Sequence, residues 1–178
     1  MVRGLKGSAL RDWPIVLSPS NAELAESLAE TLPGVLVADS NQSVIDAVDV
    51  FILAVRPQVA ATVLDGLRIR AEQPVISLIA ATPSDRITRW TGATQVCRAI
   101  PLPFVENRSD VTPVFPPIPA AMQLFGALGT ALPVEDQATF DLYAALSALM
   151  GTYFGLMEAS AQWAEGNGLP TADARAYL

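Results

Sequence analysis

Val50-Phe51-Ile52-Leu53-Ala54-Val55-Arg56-Pro57-Gln58 is the stretch whose reading decides the fold. Its first six residues are apolar without alternation, and β-branched Val50, Ile52 and Val55 favour an extended backbone over a helix. A strand apolar on both faces belongs in the middle of a parallel sheet with helices on each side. Pro57 has no N–H and pushes Arg56 away from helical dihedrals, so the strand stops there. That stop is a carboxyl end, the edge at which open α/β sheets bind ligands.

Outward from this strand, extended and helical patterns alternate. Residues 15–18 read as a short strand, followed by a helix with Ser20 as cap, Glu23 completing a capping box, and Leu24, Leu28 and Leu32 on one face. Strands are expected at 35–38, 74–79 and 95–100. Helices are expected at 41–47, at 59–67 (Val59, Val63 and Leu67 spaced by four) and from a Ser84 cap to Trp90. Five alternations make this an α/β chain of βαβ units on a parallel sheet. From Pro101 the character changes, with Pro101, Pro103, Pro113, Pro116, Pro117 and Pro119 crowded around a last strand at 111–115. That density suits a domain connection. Beyond it the pattern reads as all helical, at 120–128 and at 135–164, until Asn167-Gly168-Leu169-Pro170 stops it and Thr171 opens another helix.

The bulk properties narrow the function. A chain of 178 residues, 51% hydrophobic and 16% charged, can build one full domain and part of a second and is not disordered. The net charge of −7, with no basic run, argues against a nucleic-acid partner. Phosphates can still be held locally by backbone N–H groups and hydroxyls. With one cysteine, Cys97, and no histidine, neither an internal disulfide nor a metal site is expected. No targeting segment stands out, so the expected location is cytoplasmic. Residues 142–157 are uncharged but fall short of the roughly 20 needed for a span. They carry Ser147, Gly151, Thr152 and Gly155, and read as a buried helix with no membrane partner.

Three turns are candidate binding sites. In dinucleotide folds an acidic residue near the adenosine ribose marks NAD by bonding the 2′-hydroxyl. The turn Ser18-Pro19-Ser20-Asn21 has no carboxylate and offers hydroxyls and an amide through Ser18, Ser20 and Asn21, which favours NADP; plain helix capping is the alternative role. Ala54, Val55, Arg56, Pro57 and Gln58 border the nicotinamide and pyrophosphate region on this reading, against a simple surface turn. Ala80 and Ala81 end the next strand with small side chains that let a flat ring approach the backbone, against close helix packing. Cys97 reads as a small core residue. Ser147, Gly151, Gly155 and Ala159 recur every fourth position, leaving one helix face nearly bare for a close helix contact, either within the chain or in a homodimer or higher homo-oligomer.

Together these segments resemble pyrroline-5-carboxylate reductase, the last enzyme of proline biosynthesis. Ile52-Leu53-Ala54-Val55-Arg56-Pro57-Gln58 is similar to the family's ILAVKPQ, and Val75-Ile76-Ser77-Leu78-Ile79-Ala80-Ala81 to VISIAAG. Val96-Cys97-Arg98-Ala99-Ile100-Pro101 follows VVRVMP, Val111-Thr112 follows GVT, and Glu158-Ala159 with Gly168-Leu169-Pro170 follows EA…GLP. The resemblance implies a Rossmann-like NADP-binding domain at 1–116 and a helical dimerisation and substrate domain at 117–178, reducing the C=N bond of a small cyclic imine. It also implies that Met1-Val2-Arg3-Gly4-Leu5 matches the helix after the family's opening G-x-G-x-x-G loop. The expectation is therefore a sheet incomplete at its N-terminal side and a helical domain incomplete at its C-terminal side.

Two further departures bear on the substrate. Leu102-Pro103-Phe104 stands for the family's Asn-Thr-Pro, and Ala148-Leu149-Met150-Gly151-Thr152 for its Gly-Ser-Gly-Pro-Ala substrate loop. By position the resemblance assigns substrate contacts to Gly151, Thr152 and Tyr153. It leaves the catalytic acid or base unknown, with Glu158 and Tyr153 as candidates that have structural roles as alternatives. Two rivals stand beside this reading: a non-catalytic dimeric ligand-binding or interaction protein descended from the family, and a deazaflavin-dependent NADP reductase of the same architecture.

Overall fold

A computed structural model describes all 178 residues, in two compact units, Met1–Phe140 and Asp141–Leu178. The first unit opens with α1 (Val2–Lys6), β1 (Ile15–Leu17), α2 (Ala22–Thr31), β2 (Val35–Val37) and α3 (Asn41–Ala47). It continues through β3 (Phe51–Leu53), α4 (Pro57–Leu64), β4 (Val75–Ser77), α5 (Ser84–Thr91) and β5 (Val96–Ala99). It ends with β6 (Asp110–Phe115), α6 (Pro119–Gly126), β7 (Gly129–Pro133) and the start of α7 (Gln137–Ser147). This is the expected Rossmann-like α/β alternation.

The strands form two ladders, a parallel pair β1-β2 and a five-stranded β3-β4-β5-β6-β7. Within the larger ladder β3, β4 and β5 run parallel, β6 is antiparallel to β5, and β7 is parallel to β6. The expected central strand, β3, therefore sits at the end of its ladder. Phe51 N–H donates to the Pro74 carbonyl, and the Leu53 carbonyl accepts from Leu78 N–H, both at 2.9 Å. In a parallel ladder the residue between two such partners points its N–H and C=O the other way, so Ile52 presents its backbone on the side away from β4. The strand apolar on both faces is realised next door. Val75 and Val96 face one core with Leu53, Ala60, Leu64 and Ile87, while Ile76 and Cys97 face the other with Leu5, Val114, Phe125 and Leu128. The period-two alternation of a strand sends neighbouring side chains to opposite faces, so both cores hang from β4 and β5.

Several local expectations are corrected. Residues 129–133, read as part of a helical region, form β7, and Pro101 to Pro119 is not a domain connection, because β6 lies inside the ladder between β5 and β7. Pro113 is tolerated there because its carbonyl still accepts Ile100 N–H at 3.2 Å, at the point where β5 is ending. The compact unit accordingly runs to Phe140, past the division expected after residue 116. Asn21, not Ser20, caps α2 by accepting Leu24 N–H, while Ser18 caps a 3-10 turn over Pro19–Asn21. Pro83, not Ser84, stands at the cap of α5.

The second unit contains the remainder of α7, then α8 (Leu149–Gly166) and α9 (Thr171–Tyr177). Gly168 takes φ 92°, the left-handed turn that lets α9 fold back on α8, where Arg175 meets Glu158 at 2.9 Å and Glu165 at 3.7 Å. Residues 142–157 were expected to be buried, yet Leu142, Leu146, Leu149 and Leu156 are all at least 60% exposed, because α9 covers only a small part of this apolar segment. The stretch Gln137–Gly166 is long and apolar enough to cross a membrane by length and composition alone, the test that any apolar helix of that length passes.

Candidate active site

Each candidate turn of the first unit stands at the carboxyl end of a strand. After β1, Ser18 donates to Asn41 Oδ1 at 2.6 Å and shares a 2.7 Å bond with Ser20. The sequence reading missed Asn41, which begins α3 just beyond β2. Its partner lies 23 residues away, so only the parallel pairing of β1 with β2 brings them together. The cluster is neutral and rich in donors. Asn41 spends its carbonyl oxygen on Ser18, which leaves the amide nitrogen for a ligand, and a 2′-phosphate here would meet hydroxyls and amides with no carboxylate in the cluster. The residues present therefore fit NADP better than NAD.

After β3, exposed Arg56 caps α4 and Pro57 occupies its first turn, where the missing N–H costs nothing. What was expected to be only a strand stop is also a helix start, so Gln58 lies in the N-terminal turn of α4, where amides favour an anion. After β4, Ala80 and Ala81 are exposed, and Ala81 takes φ 50°, a left-handed conformation rare for a residue with a Cβ. Thr82, buried beneath, donates its hydroxyl to the Ala80 carbonyl at 3.1 Å and fixes the turn. Leu53 is in register with Ser77, so Ala54–Gln58 and Ala80–Ala81 continue from neighbouring strand ends. No hydrogen bond joins them to the Ser18 cluster.

Cys97 is fully buried, and burial pushes its thiol up to about 12 against weaker backbone contacts at Ile118 and Phe115. A thiol so far from ionisation is no nucleophile. Arg98 beside it is also buried, lying 4.5 Å over the Phe140 ring and donating to Gln137 at 3.2 Å. In the second unit, Gly151, Thr152 and Tyr153 are exposed on the first turns of α8, and Gly151 and Gly155 have nothing within 4 Å of where a Cβ would stand. Glu158 is engaged by Arg175 at 2.9 Å and Gln162 at 3.0 Å, a structural tie between α8 and α9.

The family described as NADP oxidoreductase, coenzyme F420-dependent, matches residues 3–81, which include most of α1, everything from β1 through β4, and the candidate turns after β1, β3 and β4. A pyrroline-5-carboxylate reductase of Methanosarcina acetivorans is 30% identical over 189 aligned positions, covering 93% of this chain and 68% of the relative. The chain belongs to the pyrroline-5-carboxylate reductase family. A second family member, from Pseudomonas aeruginosa, is 28% identical, with 88% of this chain and 61% of that protein aligned. The crystal structure of 1-pyrroline-5-carboxylate reductase from Streptococcus pyogenes superposes with a TM-score of 0.76 at 25% identity, over 98% of this chain and 70% of that one. The chain thus spans roughly two thirds of the length of the reductases it matches. The superposition takes in both units, so the α/β sheet followed by a helical domain is the family's fold.

Proposed function

We propose that this chain takes part in NADP-dependent reduction of a C=N bond in a small cyclic imine, as the names of its relatives indicate for them. The single observation that carries the cofactor is the Ser18–Ser20–Asn41 cluster, hydrogen-bonded, neutral and placed at the carboxyl end of β1. Bound NADPH would supply the hydride. The chain's own residues have the tasks of holding and orienting. Ser18, Ser20, Asn21 and Asn41 take the ribose phosphate end, the Ala54–Gln58 turn with Arg56 takes the pyrophosphate and nicotinamide side, and Ala80–Ala81 give the flat ring a surface without bulk.

A cyclic imine protonated in solution is already an electrophile, so positioning rather than a protein acid is what the reaction asks for. The lack of histidine is compatible with that. In the second unit the exposed leucines of α7 and α8, with the bare Ser147-Gly151-Gly155-Ala159 stripe, support a helix-mediated homodimer, and Gly151, Thr152 and Tyr153 are its proposed substrate contacts.

The test is binding of NADPH against NADH by intrinsic fluorescence, with the double variant Ser18→Ala/Asn41→Ala. Preference for NADPH that the double variant reduces at least tenfold supports the reading. Equal binding of both nucleotides, or a preference that survives the variant, removes it.

A further inference from the structure

We propose that Asp110 is a positioning residue that shapes the substrate end of the site, an inference resting on the reductase reading above. Asp110 is the one buried carboxylate among the 18 acidic residues of the chain, with 3% of its surface exposed. Its Oδ2 accepts the Leu102 backbone N–H at 3.1 Å and the Thr112 hydroxyl at 2.5 Å. Both partners are informative. Thr112 is itself buried, one pleat further along β6, and holds the carboxylate in one orientation. Leu102 lies in the turn that leaves the carboxyl end of β5, next to β4, whose own carboxyl end leads to Ala80 and Ala81.

The turn reads Pro101-Leu102-Pro103-Phe104, and neither proline has an N–H. Leu102 N–H is therefore the only backbone donor in residues 101–103, and Asp110 draws it inward. What the turn leaves outward is apolar: partly exposed Pro101 and Leu102, exposed Pro103, and Phe104 at 40% exposure. A buried carboxylate is costly unless hydrogen-bonded, so a site that keeps one without an apparent catalytic task uses it to hold something still. The Asp110 backbone is in register with Gly129 of β7, and the two chains run so close there that a Cβ on Gly129 would fall on the Asp110 carbonyl oxygen. The backbone of Asp110 is thus seated in the β6–β7 ladder, and its carboxylate reaches the lip of β5 at Leu102. The consequence is an apolar wall at that lip, with no free backbone donor in residues 101–103, suited to a cyclic imine whose ring carries an apolar substituent there.

The experiment uses the full chain with Asp110→Ala, Asp110→Asn and Thr112→Val, the Asn variant serving if the Ala variant does not fold. Exchange of the Leu102 amide is followed by NMR, together with NADPH affinity and separate kcat and KM values for cyclic imines with and without an apolar ring substituent. Release of the clamp is expected to speed Leu102 exchange at least tenfold while β4 and β5 amides keep their rates. It is also expected to raise KM for the substituted imine at least fivefold and leave NADPH affinity within twofold, with Asp110→Asn falling between. Unchanged Leu102 exchange overturns the clamp. Loss of NADPH affinity and of both kinetic constants in step with the folded fraction makes Asp110 merely structural. If the unaltered chain reduces no imine, the functional reading falls, and the Leu102 exchange still decides whether Asp110 holds the turn.

Discussion

Cys97 makes the stability of the first unit dependent on alkaline pH. Its thiol is fully buried between β4 and β6, with a folded-state pKa pushed from 9.0 up to about 12 by loss of solvent. In the unfolded chain the same thiol ionises near its ordinary value. The group is an acid whose folded pKa is raised, so its contribution is fully present below pH 9 and is lost as pH rises from there toward 12. The unfolded state gains thiolate that the folded state cannot match, by about 1 kcal/mol at pH 10 and about 3 kcal/mol at pH 11. Cys97→Ala removes the thiol and leaves a small void, lowering stability at neutral pH by about 1 kcal/mol. Urea unfolding of both proteins at pH 7.5 and pH 10 isolates the effect, because every other titrating group is common to both. The expected result is that the gap closes or reverses by pH 10. Parallel stabilities at the two pH values would show that Cys97 ionises as easily folded as unfolded, and the burial argument would be wrong.

Ala81→Gly should stabilise the chain by about 1 kcal/mol, seen as a higher urea midpoint, because φ 50° strains a residue with a Cβ and suits glycine. An unchanged or lower midpoint would mean that the unfolded-state entropy of glycine outweighs that strain. If the proposed homodimer uses this face, Leu146→Glu with Leu149→Glu should give a monomer in light scattering that keeps its helical circular dichroism and loses the concentration dependence of its melting temperature, since both leucines are at least 60% exposed in the single chain. A dimer that persists would move the interface off this face. The cofactor preference and the Asp110 clamp complete the set, the first read by nucleotide binding and the second by amide exchange.

How much of this was visible in the sequence depends on whether a segment's structure is set locally. β4 and β5 are legible because burial on both faces favours consecutive apolar residues, which Val75-Ile76 and Val96-Cys97 supply ahead of the buried polar Ser77 and Arg98. β7 was not, because Gly129-Thr130-Ala131-Leu132-Pro133 has little β-propensity and becomes a strand only by pairing with β6 from Asp110↔Gly129 to Val114↔Pro133. Ser20 was taken for a cap because it has the right chemistry, but Pro19 tightens the entry into a 3-10 turn and hands the cap to Asn21. Pro57 and the small residues Ala80 and Ala81 do mark the loops that follow β3 and β4. Asn41 and Asp110 escaped notice because their contacts depend on tertiary pairing.

The short strand β3 carries a further consequence. Phe51 and Leu53 face β4 with their backbone groups, whereas Ile52 turns its own outward, in a segment from Val50 to Val55 that has no charge and no proline to discourage a neighbour. Three consecutive amides should therefore lose their protons to deuterium on two timescales, the outer pair slowly and the middle one quickly. At high protein concentration that same middle residue is where two molecules would first zip together, so slowing of Ile52 exchange with concentration would report self-association before any turbidity is visible.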